Sequence, residues 1–474
     1  MQEATKRGLI STLVMISGLL GGLVTSPARA QIGPGNAPPL VTPFPHVPDR
    51  TPRPIQRRMP PLALCTPPTG AGTTHSSIAA NTPQQTWSVA GSPHIVPFDI
   101  GISAPVTIEP CAVVRIAPGG TISIGPGGSF VAAGTPGAAV IIESKVPGTA
   151  WASIRNVGGV LSLTHAIVRG GGDPQGGNIT AGGVLRMQQG AGPAGVLHVD
   201  NVEITGSLSQ GIYIEGGVGF DASSQNLYIS GTASYPLHVS APVIGSIPTG
   251  AYSRNALAAI AISGASGGVV TNAQTLHNRG VPYHVGSGQA AEELDVSTQY
   301  NAPPAVLTIE PGVVIQFGPG GSLNVNNSNF GGALVAIGGP GPQQIVFMSD
   351  RGAAAAPGDW VGIYFNNHID PQTVMQNVRV LHAGGANSAG GNSCPYATDP
   401  GVHLAAIRIF AAPTTQFITY SEIVASAKYG IDRGLRDNSQ PDFLASNTFT
   451  AVPACKQTMP RDAYGNCPAT VPCP

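Results

Sequence analysis

Apolar side chains alternate in short runs along much of this chain. Val106–Ile108, Val113–Ile116, Thr121–Ile124, Ser129–Ala132 and Val140–Ile142 follow one another, and their starts lie seven to eleven residues apart. A period of two is the mark of a strand with one face turned inward, and Pro-Gly and Gly-Gly pairs between the runs mark turns. Two architectures suit such strands. An antiparallel sandwich would be built on hairpins, whose strongest signals are Asn-Gly and Asp-Gly. Neither dipeptide occurs here, although the chain has 64 glycines. The alternative is a parallel β-solenoid, in which three short strands make a coil of about 24 residues and the coils stack. The pattern predicts this second, all-β arrangement.

A duplication points the same way. "VTIEPCAVVRIAPGG" at 106–120 returns as "LTIEPGVVIQFGPGG" at 307–321, so that Glu109 matches Glu310 at an offset of 201. Farther along, Trp151 matches Trp360 at 209, and "VEITGSLSQGI" at Val202 matches "SEIVASAKYGI" at Ser421 at 219. The offset only grows, and the extra residues fall between strand-like runs. Stacked coils tolerate that, because a longer turn bulges outward. Two tandem blocks are expected, at 92–279 and 280–450, followed by a Cys-containing tail at 451–474.

The first 30 residues read as a secretory signal. Lys6 and Arg7 precede an apolar stretch loosened by Gly18, Gly21 and Gly22, and Ala28-Arg29-Ala30 is a small-x-small cleavage site. A membrane anchor is the alternative, but the apolar run is short and glycine-broken for a span. No transmembrane segment is expected after signal removal, and the protein is expected to be exported to the periplasm, cell surface or exterior. Twelve prolines fall within 31–68, with Arg50, Arg53, Arg57 and Arg58 among them, so 31–91 is expected to be an extended arm.

Composition narrows the partners. Charged residues are 9% and net charge is −1, which leaves no electrostatic footprint for nucleic acid. Apolar residues at 42% suffice for a core. Cys65, Cys111, Cys394, Cys455, Cys467 and Cys473 all follow the signal, and no C-x-x-C pair suggests zinc. Disulfides are expected, Cys65 with Cys111 at the arm's end and two bridges of open pairing among the other four. No metal and no cofactor is expected.

The stretches "LTIEPGVVIQFGPGGSLNV", "GGALVAIGGPGPQQIVFMSD" and "GDWVGIYF" resemble exported bacterial proteins with a right-handed parallel β-helix of the pectin-lyase-like kind. The resemblance covers most of 92–450 and implies that fold and an extracytoplasmic place. Members of that class include polysaccharide lyases, hydrolases and non-catalytic surface proteins, so the fold alone does not choose an activity. The motifs of the related hydrolases (Asn-Thr-Asp, Asp-Asp and Gly-His-Gly) are absent here. Glu109, Glu310, Glu203 and Glu422 recur in both copies and read as turn or ladder residues. Gly264 to Gly268 fits G-x-S-x-G, but a β-like segment follows where that motif needs a helix. The binding candidates sit in two long Gly-rich loops at matching places. They are Asp173, Gln175 and Asn178 in one loop and His382, Asn387, Asn392, Tyr396 and Asp399 in the other. Amide, carboxylate and ring groups suit sugar hydroxyls. The expected function is a non-catalytic envelope or extracellular protein presenting a polar face to polysaccharide, or to another component of the cell envelope. The alternatives are a polysaccharide-cleaving or -modifying enzyme and a purely structural surface rod.

Overall fold

Short alternating runs become strands, and every ladder between those strands is parallel. The structure is a computed structural model. It describes residues 62–172, 182–189, 194–264, 268–286, 292–298, 302–326, 331–366, 368–386, 394, 404–410, 415–433, 441–461, 464, 466–467, 469 and 473. The signal at 1–30 and the arm as far as residue 61 lie outside them. Among the described residues the strands form sheets of 11, 13, 6 and 5 strands. The 13-stranded sheet runs from Ile100–Ile102 to Thr448–Thr450. At about 4.8 Å per strand it measures on the order of 60 Å between its edges. Inward side chains of successive passes share one core, in which Trp87, Trp151 and Trp360 are fully buried.

A corner residue lets one strand serve two faces. In Val160–Arg169 the inward positions are Leu161 and Leu163 before His165, and Ala166 and Val168 after it. The parity switches because His165 is left-handed, with φ 43°. The first half of the strand pairs with Ser129–Ala133 and the second with Val140–Ser144. Asn201, at φ 55°, makes the same switch in the next pass, between Leu197/Val199 and Val202/Ile204. Asn377, at φ 52°, does so between Met375 and Val378/Val380. Asparagine enters this conformation more readily than most residues.

The repeated sentence is folded twice in the same way but lands in different sheets. Val113–Ile116 belongs to the 11-stranded sheet. Its counterpart Val314–Phe317 belongs to the 13-stranded sheet, which in the first copy is made of strands such as Thr121–Ile124 and Ser153–Asn156. The linking stretch supplies Leu237–Val239, Ile260–Ile262 and Tyr283–Val285 to that sheet. The second copy thus enters the stack one strand position out of phase with the first.

The N-terminal end departs from the expectation that 31–91 is an arm throughout. Thr73–Thr74 and Gln85–Trp87 are short strands that pair with His94–Val96 and Pro105–Ile108, so an additional pass precedes Ser92. Two- and three-residue strands are too short to show a period. The Cys65–Cys111 disulfide is present, and Cys111 holds φ 67° where the second copy has Gly312 at φ 80°. This staple does not cover the outermost strands. Ala63 O accepts the Ala139 N–H at 3.3 Å, which lays the segment alongside later passes. At the other end, Cys394–Cys467 and Cys455–Cys473 tie down the tail.

In the additional pass, the His75 ring stacks on Trp87 at 4.0 Å, and its Nε2 meets His94 Nδ1 at 2.9 Å. Burial and the neighbouring His94 push the His75 pKa down to about 4. Its ordinary value is about 6.5. Between these pH values the unfolded chain binds the proton that the folded chain refuses. Stability therefore falls as pH drops from about 6.5 towards 4, and this group adds no pH dependence above that window. Thermal melts from pH 7 to pH 4.5 will show the decline, and His75→Phe, which keeps a ring on Trp87, will flatten it. A second prediction follows from alternation. Ile309 is 2% exposed and points inward, whereas Thr308 points outward. Ile309→Asp will cost several kcal/mol, roughly 3 or more, and Thr308→Asp under about 1. Urea denaturation of the two variants checks this, and equal losses would contradict the inward assignment.

Candidate binding face

Two loop roots are built to one plan. Trp151 Nε1 donates to Arg169 O at 3.1 Å, and Trp360 Nε1 donates to Leu381 O at 2.8 Å. The next residue is left-handed in both, Gly170 at φ 66° and His382 at φ 61°. Two residues on, Gly172 and Gly384 are left-handed as well, and a Cβ on Gly384 would meet Ser426 Oγ at 2.8 Å. Such indole anchors hold the chain where it leaves the stack. Of the eight loop candidates from the sequence, His382 alone falls among the described residues. Asp173, Gln175, Asn178, Asn387, Asn392, Tyr396 and Asp399 lie outside them. His382 is a half-buried corner residue whose buried Nδ1 has no hydrogen-bond partner. Burial lowers its pKa, against the opposing pull of Asp359.

The two roots share a backbone but not the side chains around it. In the first copy Arg115 and Glu143 are paired in register, and Arg169 joins them from the following pass. Glu143 meets Arg115 Nε at 3.1 Å and Arg169 Nη1 at 4.0 Å. Together with Lys145 and Thr149 they line an open cleft of about 480 Å³, with Gly170 and Gly171 also in its wall. The matching residues of the second copy are Gln316, Met348, Asp350 and Leu381. There Met348 and Leu381 pack with Val314, Val346 and Val424 in an apolar cluster.

A second cleft, of about 540 Å³, is lined by Arg155, Gln188, Gln189 and Glu215. Gln188 Nε2 donates to Glu215 Oε2 at 3.1 Å, and Gln189 Oε1 accepts the Gly217 N–H at 3.2 Å. Arg155 and Arg186 are paired in register, as are Arg186 and Tyr213, and the Arg186 guanidinium lies 5.7 Å from the Tyr213 ring centre. Two guanidinium groups and a ring therefore follow one another on the outside of the 13-stranded sheet. Each cleft is lined by one carboxylate, Glu143 or Glu215.

Three of the recurrent carboxylates, Glu109, Glu310 and Glu422, have structural partners, and so does Asp359. Glu109 accepts the Val89 N–H at 3.0 Å, and Glu310 accepts the Asn278 N–H at 2.7 Å. Each thus ties a turn to the preceding pass. Glu422 pairs with Arg379 at 3.0 Å. Asp359 accepts the Ser349 hydroxyl and the Ala356 N–H, both at 2.8 Å, and pairs with Arg351. Among the described residues no three His, Cys, Asp or Glu side chains are grouped to hold a metal. Residues 265–267, the centre of the G-x-S-x-G match, lie outside the described residues. The sequence reading missed Arg115, Glu143, Lys145 and Gln188. A usable signal was present for three of them: Arg115 and Glu143 are matched by the uncharged Gln316 and Met348, and Lys145 by the oppositely charged Asp350.

No family model, no curated protein and no solved structure matches this chain.

Burial alone would raise the Glu310 pKa, but the His277 ring and the Asn278 N–H outweigh it and hold the carboxyl below its ordinary value. Glu310→Ala will leave that turn N–H without its acceptor and cost about 1–2 kcal/mol. Denaturant unfolding will show the loss.

Proposed function

We propose that this protein is an exported, right-handed parallel β-helix that binds polysaccharide without cleaving it. Parallel ladders throughout, inward alternation on each face and left-handed corners support the β-helix. The strong preference for right-handed crossovers between parallel strands supports its hand. Three disulfides suit an oxidising compartment, and the Lys6-Arg7 start with its Ala28-Arg29-Ala30 site supports export. The two blocks at 92–279 and 280–450 present different outer rows on a common backbone.

The observation that carries the binding reading is the pair of open clefts on the first block. Their arginine, lysine, amide and hydroxyl groups match the hydrogen-bonding needs of sugars. Glycosidic cleavage by acid–base chemistry uses two carboxyl groups flanking one bond, and each cleft offers one. Affinity electrophoresis of the mature protein through gels containing a panel of neutral and charged polysaccharides tests the reading, with a parallel assay for new reducing ends and unsaturated products. Retardation by at least one polysaccharide without new ends is expected. Turnover would make the protein an enzyme, and free migration in every gel would favour a structural rod.

A further inference from the structure

We infer that the cleft under Arg115, Lys145 and Arg169 recognises an oxyanion carried on a glycan: a carboxylate, a sulfate ester or a phosphate ester. The inference deepens the proposed polysaccharide binding and rests on it. It begins with charge. Three cations line a cleft of about 480 Å³, and Glu143 is the one carboxylate in its lining. That carboxylate is spread between two arginines, with one contact at 3.1 Å and one at 4.0 Å. Lys145 has no ion pair among the described residues. A pair made for stability would match one cation to one anion, whereas this arrangement leaves an excess of two positive charges around open space. Like charges held together repel one another unless an anion enters.

The second copy supplies an internal control. Its counterparts of Arg115, Glu143, Lys145 and Arg169 are Gln316, Met348, Asp350 and Leu381, in the same register on an equivalent ladder and beside the matching indole-anchored root. The fold therefore does not require the cations. They are a property of the first copy's outer surface, placed where the chain leaves the stack. The guanidinium groups suit oxyanions through paired N–H donors. Leu208 and Pro147 add apolar walls that fit the carbon face of a sugar ring. The cleft's size lies within the range of small-ligand sites.

The test uses the mature protein and trisaccharides of four kinds (neutral, uronate-bearing, sulfated and phosphorylated), with titration calorimetry at low and moderate salt. The wild type is expected to bind at least one anionic trisaccharide more tightly than the neutral one by about tenfold or more, with affinity falling as salt rises. Which anionic trisaccharide binds best identifies the source of the oxyanion. Two variants push in opposite directions. Arg115→Gln with Lys145→Asp and Arg169→Leu installs the residues that the second copy tolerates, and should abolish the anionic preference. Glu143→Gln removes the competing carboxylate and should tighten anionic binding. A cooperative melt of each variant confirms that it is folded, and the Glu143→Gln arm stands alone if the triple variant is not. Equal binding of neutral and anionic trisaccharides, unmoved by either variant, would overturn the oxyanion site while leaving polysaccharide binding intact. Failure to bind any of the four, together with free migration in every polysaccharide gel, would overturn both.

Discussion

The backbone ladder between successive passes is the constraint on which everything else depends. Most strands here are only three to five residues long, so each contributes few hydrogen bonds and none is stable alone. Stability comes from stacking, and stacking demands that each N–H meet a carbonyl on the neighbouring pass. Extra residues are therefore confined to turns. That is why the offset between the copies grows without disturbing any strand, and why the indole anchors of Trp151 and Trp360 hold the points where long loops depart. The same ladder dictates the corners. A chain that crosses directly from one face to the next must switch parity, and it does so by turning left-handed at His165 and Asn201 within strands and at Asn377 between two.

Much of this was legible in the sequence because alternation and turns are local. The inward set around Ile108 and Ile309 and the shared turn at Glu109 and Glu310 could be read from a few residues at a time, and the Cys65–Cys111 pairing from the contrast between Cys111 and its match Gly312. The additional first pass was not legible, because Thr73–Thr74 and Gln85–Trp87 are too short to carry a period and sit in a Thr- and Pro-rich setting. The charged cleft was hidden for a different reason. Arg115, Glu143 and Arg169 come from three strands well separated in sequence, and only the register between passes brings them together. The loop residues chosen from the sequence lie mostly outside the described residues, so the candidate face now rests on residues of the stack itself.

The two ends of the stack are finished unequally. At the C-terminal end Phe443 is fully buried, its ring edge-on to Phe417, and two disulfides hold the tail in place. At the N-terminal end the outermost strands are two and three residues long, and the Cys65 segment runs beside later passes. Short edge strands are one of the ways in which proteins discourage unwanted pairing. Edge strands are short at both ends, Thr448–Thr450 and Ile418–Thr419 among them, and the C-terminal end has in addition the aromatic packing and the two disulfides.

The one-strand displacement between the copies also sets their valence. Had the second copy continued in phase, equivalent residues would line up along one side and could grip a single straight polymer in series. With Val113–Ile116 and Val314–Phe317 in different sheets, equivalent positions point to different sides of the stack. Tandem sites on one side act on one chain through a raised effective concentration, provided that geometry allows both to engage. Sites on different sides instead suit joining two separate chains, or leave the second copy free to lose the first copy's charges without breaking a shared groove. Gene duplication here has added an orientation rather than lengthened a surface.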